Sequence, residues 1–197
     1  KASSKAEPDP FATKGPKPIN LAPSSDDPAI TRLVTRILTR SHYARKPFDD
    51  TVSSRFLDQY LDMLDPTHLI FFQTDLQEFE RYRNTLDDLT YKDGDTTPAY
   101  VIFKRFLERF DQEVEFANQC LTNTAWEFKG NETYKFERKN ADRPRDLQVA
   151  KTLWLERLRY EYLQEKLNQD KPEEIAKIIK RRYSRISRFL HEYDSEE

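Results

Sequence analysis

The side chains of this chain best suited to chemistry are three histidines, His42, His68 and His191, a single cysteine, Cys120, and the adjacent acidic pairs Asp87–Asp88 and Glu173–Glu174. A bound metal needs ligands that converge, and the histidines are scattered with no HExxH spacing and no repeated ligand partners. Covalent catalysis needs a nucleophile beside a base and an oxyanion site, yet there is no GxSxG elbow, no SxxK and no glycine-rich phosphate loop. Neighbouring carboxylates on a helix point apart, so the acidic pairs read as surface or helix-dipole residues rather than an acid–base couple. The histidines accordingly read as cap, turn or surface residues, and Cys120 as a small core residue. No catalytic, metal-binding or cofactor-binding residue is expected within this chain.

The basic run "KIIKRRYSRISR" at 177–188 could bind phosphate and stack on bases through Arg181, Arg182, Arg185, Arg188 and Tyr183. Its Ile178, Ile179, Tyr183 and Ile186 keep an apolar stripe, which assigns the arginines to solvated faces or to acidic partners elsewhere. A formal charge of −2 supplies no overall basic field, and no nucleic-acid partner is expected. "NET" at 131–133 fits the glycosylation triplet, a pattern that arises often by chance. Charged residues make up 35% of the chain, but thirteen Phe and ten Tyr among 197 residues can form an aromatic core. One cysteine excludes an intrachain disulfide framework, and no apolar run reaches the roughly 20 residues of a membrane span.

The elements that carry these residues read as helices. Residues 1–28, with six prolines among Ser, Lys and Asp, read as a flexible leader. A first helix starts at Asp26 or Asp27 and sets Ile30, Leu33, Val34, Ile37 and Leu38 on one face. A second starts near Asp49 or Asp50, buries Phe56, Leu57, Tyr60, Leu61 and Leu64, and stops at Asp65 before Pro66. "LIFF" at 69–72 reads as an extended packed segment, and the next helix, capped at Thr74 or Asp75, runs to about Leu89.

Thr97 and Pro98 open a long helix with the stripe Phe103, Phe106, Leu107, Phe110, Val114, Ala117 and Leu121. Leu147, Ala150, Trp154, Leu158, Tyr162 and Leu167 form another stripe, and Pro172 opens a last helix through Ile175, Ile179, Ile186, Leu190 and Tyr193. Between the long helices, "WEFKGNETYKFERKNADRPRD" at 126–146 has no period of its own. Its Trp126, Phe128, Tyr134 and Phe136 can pack over neighbouring helices, with Gly130 and Asn131 supplying a turn.

"FLDQYLDMLDPTHLIFFQTDLQEF" at 56–79 resembles the signature of the N-terminal region of the tail-specific, or carboxy-terminal processing, proteases. "TRSHY" at 39–43, "EFKGNETYKFER" at 127–138, "LWLERLRYEYLQEKL" at 153–167 and "IIKRRYSRISRFLHEYDSEE" at 178–197 resemble successive blocks of the same region. The resemblance covers nearly everything after the leader. It implies an all-α, multi-helix N-terminal domain over 29–197, in which the 126–146 interlude is an ordered connector. The chain departs from the family at Arg143, where an aromatic commonly precedes the proline, and at "NQDKPEE", where a glycine-containing loop is usual.

The same resemblance implies a periplasmic parent: a serine endopeptidase with a Ser-Lys dyad and a PDZ domain that captures the C-terminal end of substrate polypeptides. Those parts lie outside this chain, so the chain by itself is not expected to be an enzyme. Two roles follow. One is a scaffold that packs against the PDZ and protease domains and shapes access for unfolded or C-terminally tagged substrates. The other is an independent binding module for an adaptor or cell-envelope partner.

Overall fold

The computed structural model describes residues 21–41, 47–123, 126–131, 133–168 and 171–192. Most of the leader, His42, Glu132 and Tyr193 therefore lie outside the described residues. The described chain is all-α. Helix α1 spans Asp27–Ser41, α2 Asp50–Leu64, α3 Gln73–Phe79, α4 Leu86–Asp88, α5 Thr97–Asn123, α6 Leu147–Lys166 and α7 Pro172–Glu192. Among the described residues there is no strand and no helix long and apolar enough to cross a membrane.

Local chemistry sets the boundaries of α2. Asp49 caps it by accepting the N–H groups of Thr51 and Val52, and the helix ends where Pro66 disfavours further α geometry at Asp65. The helix expected to run from residue 74 to 89 is instead broken. Its N-cap is Phe72, and Asp75 sits in the first turn and reaches back to accept the Phe72 N–H at 2.9 Å. The chain tightens to a 3₁₀ turn at Glu80–Tyr82, then passes through α4 into a π-helical turn at Leu89–Asp93, closed by Gly94 in the left-handed region. Phe79 and Leu86, on either side of this break, are both buried.

Helix α5 is the spine. Its first half, with Ile102, Phe106, Leu107 and Phe110, packs a core against Leu57 and Leu61 of α2, Ile70 and Phe71, and Phe79 of α3. Phe71 meets Phe79 edge-on at 5.7 Å, and Phe106 and Phe110 stack at 6.1 Å, so this core is aromatic as its composition demands. The second half, with Ala117 and Leu121, packs against Leu158 and Tyr162 of α6 and Ile175, Ile179 and Tyr183 of α7. Leu69, Phe72, Ala150 and Trp154 form a third cluster.

Several expected core residues lie outside it. Phe56, Leu147, Leu167 and Ile186 are exposed, and Leu167 lies just past the last residue of α6. Cys120 is only partly buried against the second core. Asp87, read as a surface residue, is buried, while Asp88 beside it is exposed and pairs with Lys92 at 2.9 Å.

Candidate interaction surface and its supporting core

The turn at Asp65–His68 delivers four apolar residues, Leu69–Phe72, into the interior without a helix or sheet to satisfy their backbone. Buried N–H groups left without acceptors are costly, so the segment needs its own. Asp65 provides them, accepting Leu69 N–H at 2.9 Å through Oδ1, and Ile70 and Phe71 N–H at 3.1 and 3.0 Å through Oδ2. Asp75 takes the fourth N–H. Trp154 Nε1 donates to the Leu69 carbonyl at 2.8 Å, which ties the segment to α6.

Two fully buried carboxylates require counter-charge. Arg143 pairs with Asp65 and reaches Asp62 at 3.5 Å, so the residue at which this chain departs from the usual aromatic closes the signature turn electrostatically. Arg105 and Arg109 of α5 hold Asp75 at 2.6 and 2.8 Å, and the Arg109 guanidinium lies 3.9 Å from the Phe72 ring centroid. Burial pushes the Asp75 carboxyl up, but hydrogen bonds from Arg109, Phe72 N–H and Arg105 outweigh it and hold the group below its ordinary value.

The aromatic interlude laces over this knot. Arg138 Nε donates to the Thr67 carbonyl at 3.2 Å, His68 Nδ1 lies 2.7 Å from the Ala141 carbonyl, and Gln73 N–H donates to the Pro144 carbonyl at 2.9 Å. His68 is thus a turn residue, at φ 54°, with its Nε2 3.3 Å from Asp62 Oδ1. The aromatics lie along α6 as expected. Trp126 stacks on Tyr162 at 4.9 Å, Tyr134 stacks on Tyr160 at 5.2 Å, and Phe136 meets Tyr160 edge-on at 4.6 Å. Tyr134, Phe136 and Tyr160 also border an open cleft of about 410 Å³ with Arg157 and Glu161 at its wall.

A second polar cluster joins α5, α6 and α7. Glu113 is fully buried, with Oε1 at 3.5 Å from Arg157 Nη1 and Oε2 without a hydrogen-bond partner. Arg157 also bonds Glu161 at 2.9 Å, and Arg182 of the basic run pairs with Glu165. Burial raises the Glu113 carboxyl to about 7, with Arg157 opposing the rise. Sequence reasoning passed over Glu113, although a carboxylate between Phe110 and Val114 on an otherwise apolar stripe was the available signal.

Among the described residues, the chemically able side chains do not converge on a site. His191 pairs with Asp111 at 2.9 Å across α7 and α5, and Glu173 and Glu174 occupy the first turn of α7. Among the described residues, no group of three or more His, Cys, Asp or Glu could hold a metal ion. The basic run points Arg182 inward to acids and Arg188 along its own helix to Glu192 at 3.8 Å.

What the surface does offer is α1. Its Ile30, Leu33, Val34, Ile37 and Leu38 are 47–60% exposed, while Thr35 on the opposite side is buried at 7%. The helix is therefore attached by its polar side. Arg32 Nη1 donates to the Asp93 carbonyl at 2.9 Å, and the Tyr100 hydroxyl donates to Asp27 at 3.1 Å. Gly94 lets the two segments touch, since a Cβ there would lie 2.2 Å from the Pro28 carbonyl oxygen.

A family model described as the tail specific protease N-terminal domain matches residues 34–197. The chain is 27% identical over 179 residues to a protein named Tail-specific protease from Haemophilus influenzae. That alignment takes in 90% of this chain and 26% of the relative, so the chain spans about a quarter of that protein's length.

Proposed function

This chain belongs to the tail-specific protease N-terminal domain family, and from that premise we propose that it is the non-catalytic helical domain of a periplasmic serine endopeptidase. In this reading the parent recognises the C-terminal end of protein substrates through a PDZ domain and cuts with a Ser-Lys dyad, both outside this chain. The helical domain packs against the protease body and shapes the approach of unfolded polypeptide. The observation that carries the reading is the engagement of Asp65 and Asp75. The two buried carboxylates of the signature stretch accept four backbone N–H groups and are neutralised by Arg143, Arg105 and Arg109. Carboxylates so occupied stiffen a scaffold and have no lone pair facing a substrate.

The test is excision of residues 1–197 from the parent. Loss of folding, or loss of cleavage of an unfolded protein substrate, is the expected result; a truncated protease that folds and cleaves that protein at the parental rate would overturn the proposal.

A further inference from the structure

An amphipathic helix ordinarily turns its apolar stripe to the core, because burial of that stripe is what stabilises a helix of 15 residues. Helix α1 does the reverse, with Thr35 inward and five large aliphatic side chains outward. The stripe has a charged edge. Arg36 and Arg40 are exposed beside Leu33, and neither pairs with an acid among the described residues.

Resting on the reading that this is one domain of a longer protease, we infer that the Ile30–Leu38 face of α1 is the docking surface for another part of the same polypeptide. Its occupant is an amphipathic segment whose apolar stripe is edged by carboxylates facing Arg36 and Arg40. Area decides between this occupant and a second copy of the chain. Five half-exposed aliphatic residues present on the order of a few hundred Å², short of the roughly 800 Å² per partner that a stable association between separate molecules covers. A tethered partner needs far less, since its effective concentration reaches the millimolar range. The relative supplies ample chain, as the matched stretch is 26% of its length. Opposite charge at the edge then fixes orientation and excludes other apolar surfaces.

Hydrogen–deuterium exchange of the 197-residue chain and of the full-length protease tests this directly. With its apolar face uncovered, α1 should open locally in the shorter chain, and residues 33–38 should exchange about tenfold or more slower in the full-length protein. Leu33→Asp with Ile37→Asp in the full-length protein should restore fast exchange in α1 while α5–α7 keep their protection. Arg36→Glu with Arg40→Glu should do so in part. Equal exchange of α1 in the two proteins would overturn the inference. If both are equally slow, the cover lies within residues 1–197 or in a second copy, which a dilution series separates. Excision that impairs cleavage while α1 exchanges identically would leave the scaffold standing and remove only this face; protection of α1 with harmless excision would do the opposite.

Discussion

Replacing Glu113 by Gln should make this protein more stable above neutral pH and remove most of one pH dependence. Glu113 is 1% exposed, and burial raises its carboxyl from 4.5 to about 7 against the pull of Arg157. The folded-state pKa therefore lies above the unfolded one. Between pH 4.5 and 7 the unfolded chain releases a proton that the folded chain keeps, so stability falls as pH rises through that window and levels off above it. At about 1.4 kcal/mol per pH unit, the loss amounts to about 3 kcal/mol. Gln keeps the shape and an oxygen for Arg157, whose contact with Glu161 at 2.9 Å is untouched. Urea unfolding of both proteins at pH 5, 6, 7 and 8 reads the difference directly, since other titrating groups cancel. The gap should move by about 3 kcal/mol in favour of Glu113→Gln between pH 5 and pH 8, or by roughly 6–12 °C in Tm. A gap that does not change with pH would refute the reasoning.

Asp65→Ala should orphan three buried N–H groups at roughly 1–3 kcal/mol each and strand Arg143, a combined loss of at least about 4 kcal/mol, a large share of the stability of an ordinary domain. Asp65→Asn, which retains one acceptor oxygen, should fall between the two; equal urea midpoints for wild type and Asp65→Ala would contradict the role given to Asp65. Gly94→Ala places a methyl 2.2 Å from the Pro28 carbonyl oxygen at φ +71°, so α1 must shift. The expected result is a loss of about 2 kcal/mol with faster amide exchange at the start of α1, and unchanged exchange there would show that the helix is not seated on Gly94.

Helix existence and most of the core were legible because burial follows a 3.6-residue period. The α5 stripe, the α2 cap at Asp49 and the stacking of the interlude on α6 all sit where residue type and spacing put them. The fate of the polar residues was not legible in the same way. Asp65 read as the residue before a proline and Asp75 as a cap, yet their carboxylates serve a segment that no local pattern marks as needing acceptors. Their partners Arg143 and Arg105 stand 78 and 30 positions away.

Sequence alone determined the family, the all-α class and which stripes are apolar, because these depend on neighbours three and four residues apart. Tertiary structure alone decided which stripe is covered. The faces of α1 and α5 are both amphipathic signals, but α5 lies between α6, α7 and the signature segment, whereas α1 is attached through Arg32, Thr35 and the Gly94 contact. Whether an apolar side chain is buried depends on what the rest of the chain places opposite it. A helical period carries no information about that.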